Sequence, residues 1–553
     1  AQRVFLLGYG ADPAAAVRSA DTDGAVDPHQ RAASVRAAWD TILGAVQVST
    51  PDPLFDVMVN RWLLYQNVAC RMWAKAGFYQ AGGATGFRDQ LQDAMAMTWA
   101  APQMLPQQIL TAAARQFPQG DVQHWWHAPD GAGVRTRFSD DLLWLPFACL
   151  HHLQTSGNPA LLDAVVPFIE GAAIAPEAED AYYVPVVSDQ QASVFEHAAR
   201  AIDHSLRTGV HGLPLMGSGD WNDGMNRVGI EGRGESVWLA WFLCTVVAGF
   251  APLARARGET VRADAWELAA RGWKEALQGP AWDGEWYRRA FFDDGQVLGS
   301  AANTEARIDL IAQAWAVLSG VAPPQRARQA MDAAERQLVD PTTGLIRLLY
   351  PPLQHQSPSA GYIQAYPPGV RENGGQYSHA AIWALMAQAQ LGVREPHDAT
   401  AGDRVWRYFR YLNPAHRAAD PAQREAYGLE PYVMAGDIYS QPPYAGRGGW
   451  SWYTGSAGWM HRAAIESMFG LHLGPATLHF APCLPADWTR VELVLTREGR
   501  SLRFILWHGR ASLALAAVAV EGASLLQPGT PLEWKNLPDG SCHVVPWGYG
   551  EET

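Results

Sequence analysis

The sequence is poor in cysteine, has no surplus of positive charge and contains no long apolar run. Its five cysteines (Cys70, Cys149, Cys244, Cys483 and Cys542) are odd in number, far apart and outside any CxxC spacing. That argues against a disulfide framework or a zinc site and sets the expectation of a reducing, cytoplasmic setting. A net charge of −13 supplies no basic stripe for nucleic acid or an anionic membrane. It does not exclude a phosphate site, which needs only local donors. No stretch of about 18 uninterrupted apolar residues occurs, so no membrane segment is expected. The most apolar stretch, 237–253, is broken by Trp, Cys, Thr, Gly and Pro and reads as a buried helix. There is no GxxxxGK[ST] phosphate loop, no strand–helix alternation and no strict repeat period, which disfavours nucleotide-binding sheets and helical solenoids. The first residue is Ala1 rather than Met, and no signal peptide is visible, so a fragment or a processed product is expected.

What is abundant is tryptophan, with 24 residues among 553. Most are expected in the core, as large aromatics usually are, but many stand beside Gly, Asp, Asn or His, where an indole is free to stack on a sugar face. From residue 53 onward, apolar residues recur at three- and four-residue spacing: Leu54, Val57, Met58, Trp62, Tyr65 and Val68 form the first stripe. Similar helical stretches follow at 89–99, 106–116, 140–155, 159–170, 193–208, 235–256, 262–277, 304–318, 324–338, 378–391, 404–412 and 456–469. About a dozen helices joined by long Gly-, Pro- and Trp-rich loops predict a mainly α fold of paired hairpins closed in a ring. After residue 473 the period changes to two, with strands expected at 491–495, 502–507 and 513–520. The expected divisions are therefore 1–50 (the end of an upstream region, with a strand-like 4–7 and a linker helix at 30–43), 51–472 (helical catalytic domain) and 473–553 (a small all-β unit).

The stretch that organises the chemistry is 217–229, in which Asp220 and Asp223 flank Trp221 and Asn222, and Arg227 follows four residues on. An acid, an indole and a guanidinium in one glycine-rich loop suit protonation of a leaving group, stacking on a sugar and grip on an anion. A surface turn with an Asp cap is the plainer alternative. Four further loops are rich in polar groups. Residues 82–93 carry Arg88 and Asp93, suited to vicinal hydroxyls. Residues 123–127 (Gln-His-Trp-Trp-His) look like a carbohydrate platform, and Ser139-Asp140-Asp141 looks like a helix cap. Residues 367–379 set Arg371, Glu372, Asn373, Gln376 and His379 around a double glycine, and 446–459 bring Thr454 and Gly455 to a helix start. Backbone N–H groups at such a start favour an anion, unless a Ser/Thr cap occupies them.

Four of these segments, Gly-Asp-Trp-Asn-Asp-Gly-Met-Asn-Arg-Val-Gly, Phe-Arg-Asp-Gln-Leu-Gln-Asp, Glu-Asn-Gly-Gly-Gln-Tyr-Ser-His and Trp-Tyr-Thr-Gly-Ser-Ala-Gly-Trp-Met, resemble in sequence order the inverting phosphorylases of glycoside hydrolase family 94. The wording around 60–66, 120–126 and 232–238 is most similar to the phosphorylase domain of cyclic β-1,2-glucan synthases and to 1,2-β-oligoglucan phosphorylases. The resemblance implies an (α/α)6 barrel with a small C-terminal β unit, and an N-terminal β-sandwich that this sequence lacks apart from a last strand. It also implies Asp223 as general acid and Arg88, Asp93 and Trp221 as holders of the sugar at the cleavage subsite. Arg371 and Glu372 would face the leaving glucan, and Arg227, His379, Thr454 and Gly455 would hold phosphate. Phosphate is a co-substrate in that family; no metal or organic cofactor is implied. The expected partners are a β-glucan oligosaccharide and phosphate, with a homodimer or a larger synthase as the expected assembly.

Overall fold

The computed structural model describes residues 12–24, 27–509, 523–526 and 529–548. Six helices form a closed inner ring: α1 (Phe87–Ala96), α2 (Trp144–Ser156), α3 (Val237–Ala256), α4 (Leu310–Leu318), α5 (Ser378–Arg394) and α6 (Ser456–Arg462). Each packs on the next, and α6 returns to α1. An outer layer pairs with them in turn: Met104–Ala113, Val194–His204, Thr260–Gln278, Pro324–Leu338 and Ala401–Leu412 back α1 to α5. The irregular helix over 53–74 backs α6, so the first helical hairpin is completed by the last inner helix. Gln66 fastens this seam, accepting from the Met434 N–H at 2.8 Å and donating to the Met434 and Trp452 carbonyls at 3.0 Å. The architecture is an (α/α)6 barrel.

The two layers follow from two sequence patterns. Inner helices are buried almost all round, as in α4, where every residue from Leu310 to Val317 is buried. Outer helices show a single apolar stripe: Pro324–Leu338 buries Ala327, Ala330, Met331, Ala334 and Leu338 at helical spacing and turns its charges outward. Among the described residues, α3 is the one helix long and apolar enough to cross a membrane, yet 72% of its apolar window is buried inside the barrel. Indoles fill the barrel centre. Trp383 contacts Trp221 at 4.9 Å, Trp315 at 5.4 Å and Trp459 at 5.7 Å between ring centroids.

A five-stranded sheet packs on the barrel in the order Val46–Ser49, Arg490–Arg497, Arg500–His508, Cys542–Trp547, Ser524–Leu525. The first three strands pair antiparallel, and Cys542–Trp547 adds to Arg500–His508 in parallel. Val46–Ser49 thus ties the N-terminal flank of the barrel to its C-terminal flank. The strand expectations at 4–7 and 513–520 lie outside the described residues. The helix expected at 159–170 is instead a short 3-10 turn, Pro159–Asp163, followed by the strand Val165–Glu170. Adjacent β-branched Val165 and Val166, then Pro167, disfavour a helix there.

Candidate active site

The first turns of α1 and α5 and the residues just before α6 converge on one cleft of about 570 Å³. Helix N-termini carry partial positive charge, so this end of the ring is predisposed toward anions before any side chain is counted. Into it projects the 217–229 loop. Asp220 anchors that loop: wholly buried, it takes both Arg289 Nη atoms at 2.6 Å and the Ser236 hydroxyl at 2.7 Å. Asn222 then accepts from the Gly224 N–H at 3.1 Å, turning the chain into the 3-10 segment Asp223–Met225. Gly217 and Gly219, with φ of 65° and 133°, make the bends leading in. The outcome is that Asp223 reaches the cleft with its carboxylate partly open.

Two cations attend it. Arg88 Nη2 lies 2.6 Å from Asp223 Oδ1, and His124 Nε2 lies 3.7 Å from Oδ2. Arg88 is fixed from behind by Asp140, whose two oxygens lie 2.8 and 3.0 Å from Nη1, and by Asp141 at 3.5 Å from Nε. Asp141 also holds His124 Nδ1 at 2.7 Å. The expected cap role of Asp140 and Asp141 is therefore replaced: Asp140 makes no side-chain cap bond, and both acids serve Arg88 and His124. In an inverting hydrolase, Asp220, Asp140 or Asp141 would have to act as the base. All three are buried in these ion pairs, and none lines the cleft.

A second cluster gathers around Gly455. A methyl group there would sit 2.9 Å from His379 Nε2, 3.1 Å from Asp93 Oδ1 and 3.5 Å from Arg71 Nη2, so only glycine leaves the space open. Arg71, which the sequence reading missed, is held by Asp93 at 2.8 Å and Asp89 at 3.1 Å and lies over the Tyr453 ring at 4.2 Å. Burial opposes its charge, but Asp93, Tyr453 and Asp89 outweigh it and keep the guanidinium protonated. His379 is the opposite case. Burial first, then Arg71, push it down to about 3, so the ring is neutral and acts as an N–H donor rather than an imidazolium. Thr454 spends its N–H on the Trp452 carbonyl at 3.1 Å, and its hydroxyl accepts from the Ser456 N–H at 3.2 Å. The cap has taken those groups, and among the described residues the Gly455 N–H is left without an acceptor.

Two expected positions differ. Arg227 does not reach the cleft: its side chain is 63% exposed and 3.9 Å from Glu179. The cause is local, because Asn226 donates to Glu179 at 2.6 Å and accepts from the Tyr362 N–H at 3.0 Å, which draws the chain outward after Met225. Asp93 is buried behind the cleft, where it holds Arg71 rather than lining the space a sugar would fill. Asp89, one turn earlier on α1, lines the cleft instead, as do Asp223, Glu372 and Asp437. Burial opposes ionisation of Asp89, but Arg71, Arg88 and His124 keep it below the usual carboxylate range. Trp221, Arg371, Glu372, His379, Thr454 and Gly455 all line the cleft. Trp221 stands edge-on to Tyr377 at 5.3 Å. Arg371, in the left-handed region with φ of 51°, stacks on Trp450 at 4.6 Å and Tyr366 at 5.2 Å and pairs with Glu372 at 3.3 Å. Trp125 and His127 of the platform motif also line it, whereas Trp126 is buried. Tyr362 and Tyr366 add aromatic wall that no motif announced, beside Trp450 of the 446–459 segment.

The cleft is thus acid and cation at one part and aromatic at another, which suits a sugar chain and an anion together. The chain is similar to known carbohydrate-active proteins. The cyclic beta-(1,2)-glucan synthase NdvB of Rhizobium meliloti (strain 1021) is 49% identical over 456 residues, covering 82% of this chain and 16% of that protein. The solabiose phosphorylase of Paenibacillus borealis is 31% identical over 508 residues, covering 90% of this chain and 60% of that one. The chain therefore spans less than two thirds of either relative. A bacterial glucoamylase complexed with acarbose has the same kind of helical fold, with a TM-score of 0.52 at 10% identity over 83% of this chain and 62% of that one. Residues 38–470 match the catalytic-domain model of the glycosyl hydrolase 94 superfamily, and the chain belongs to that family.

Proposed function

We propose that this chain catalyses the inverting phosphorolysis of β-1,2-linked glucooligosaccharides, releasing α-glucose 1-phosphate, as a trimming unit within a larger glucan synthase. The observation that carries the reading is the pairing, in one cleft, of a partly open Asp223 with a recess of hydrogen-bond donors at Arg71, His379 and Gly455. Asp223 protonates the glycosidic oxygen as the bond breaks. An inverting hydrolase needs a second carboxylate about 6.5–9.5 Å away to activate water; Asp140, Asp141 and Asp220 are consumed in ion pairs. Phosphate is already a nucleophile and needs only donors beneath the anomeric carbon. Arg71 brings the charge, and His379 and the Gly455 N–H bring neutral donors. Arg88 and Trp221 frame the reacting sugar, and Arg371, Glu372 and the aromatic wall face the departing glucan. In this reading the reaction is reversible, proceeds in the cytoplasm and uses no metal or organic cofactor. The β-1,2 preference is supported by the glucan-synthase relative at 49% identity.

The test is incubation of the purified chain with inorganic phosphate and sophorooligosaccharides. α-Glucose 1-phosphate is the expected product. Turnover of cellobiose, laminaribiose or cellobionate alone reassigns the linkage. Sugar release without phosphate makes the enzyme a hydrolase, and glucan binding without turnover makes it a binding module.

A further inference from the structure

The cleft sets one more titratable group against Asp223 than bond cleavage uses. His124, on the strand Gln123–Trp126, has Nδ1 2.7 Å from Asp141 and Nε2 3.7 Å from Asp223 Oδ2, and its ring stands nearly perpendicular to that of Phe138 with centroids 4.8 Å apart. Arg88 occupies the other oxygen, Oδ1. The two oxygens of Asp223 are therefore unlike. One is committed to a guanidinium that does not release a proton, and the other faces an imidazole that does.

The reaction proposed above, on which this inference rests, makes a demand on that second oxygen. Hydrogen phosphate enters carrying a proton, the sugar phosphate leaves as a dianion, and the released glucan hydroxyl holds the proton. The sum balances, but Asp223 has given up a proton at the glycosidic oxygen while phosphate has lost one elsewhere. One proton must return to Asp223 in every turnover. We propose that His124 is the positioning residue that returns it: the Nε2–H bond breaks, an Oδ2–H bond forms, and the ring regains its proton from the hydrogen phosphate consumed, directly or through solvent. In the synthetic direction the proton runs the other way. Asp141 accepts from Nδ1–H throughout and so fixes Nε2 as the exchanging nitrogen.

The surrounding charges keep the ring loaded in the resting cleft, and the transfer to Oδ2 runs against that hold. Burial disfavours a charged His124 and Arg88 also opposes it, but Asp141 and Asp223 outweigh both and the ring is pushed up to about 9; Asp89, on the first turn of α1, also faces it. His124 thus carries its proton at neutral pH and loses it only as the pH rises through that value.

Two variants test the relay. His124→Ala is expected to lower kcat for oligosaccharide phosphorolysis about 10²- to 10³-fold, with the KM for oligosaccharide within about threefold of wild type. Added imidazole should recover about tenfold of that loss. Asp141→Asn keeps a hydrogen-bond acceptor on Nδ1 but removes the charge, so the alkaline limb of its kcat profile should fall from about pH 9 toward the ordinary imidazole range. A His124→Ala enzyme within threefold of wild-type kcat overturns the relay. So does a loss that imidazole leaves untouched together with an alkaline limb of Asp141→Asn at the wild-type pH. A wild type that makes no sugar phosphate overturns the underlying reading instead; only the variant-to-wild-type comparison bears on His124.

Discussion

Asp220 and Asp223 are the same residue type on the same loop, and the barrel treats them oppositely. Asp220 is sealed against Arg289 and Ser236 with no exposure, whereas the Asp223 side chain is 29% exposed beside Arg88. Burial opposes the Asp220 charge, but Arg289 outweighs it and holds this carboxyl below the ordinary range. The contrast shows how a flexible, glycine-rich segment can present a reactive acid at a fixed place. One carboxylate is given wholly to anchoring, so the other, three residues on, needs few partners of its own.

If that division of labour holds, Asp223→Asn should lower phosphorolysis by more than about 10³-fold while leaving the unfolding midpoint near wild type. Wild-type turnover in this variant would show that the acid lies elsewhere. Asp220→Asn should do the reverse. It leaves the Arg289 charge buried with one partner fewer, a destabilisation of about 3–5 kcal/mol that urea unfolding would register. An unchanged midpoint would mean the loop is not anchored there. The same contrast extends to the two arginines considered for the anion. Arg71→Ala should raise the phosphate KM about ten- to a hundredfold, the consequence of removing one charge-assisted donor worth ~1.5–3 kcal/mol. Arg227→Ala should stay within about twofold, and the opposite ranking would return the anion to the exposed loop. The smallest effect concerns His379. Because its ring is neutral above about pH 3, the KM for phosphate, corrected for the ionisation of phosphate itself, should vary less than about threefold between pH 6 and 8. A steep loss of affinity through pH 6–7 would reveal an imidazolium.

Much of this was legible in the sequence, and the failures have physical causes. The barrel helices could be read because burial on one face or on all faces leaves a periodic record, as in Pro324–Leu338 and α4. The ring was inferable from the number and length of those helices. The cleft loops were legible because glycine, acid and indole together suit few other roles. The choice of cation was not. Arg227 drew notice by standing four residues from Asp223, but the Asn226 bonds turn it outward. Arg71 lies on a different helix, and the π-helical turns of Asn67–Ala74 change which face its side chain takes. Asp140 and Asp141 carried the signature of a helix cap, and nothing in their own segment showed that Arg88 and His124 would compete for them. Thr454 fits cap and anion donor equally by sequence, and its bonds to Trp452 and Ser456 in the fold decide for the cap.

The closing contact between α6 and α1 also bears on how the protein comes into being. Arg71, Asp89 and Gly455 are drawn together across most of the chain, and Gln66 bonds to groups 368 and 386 residues further on. Such long-range contacts are slow to form, because the loop must close before any interaction rewards it. During synthesis the inner helices from α1 to α5 emerge with one flank of the ring unsealed and their indoles uncovered, a state prone to association with other chains. The anion recess has no meaning until α6 arrives. A polypeptide halted before residue 455 is therefore expected to show no residual fraction of the activity, and assistance from chaperones should matter most in the interval just before the ring shuts.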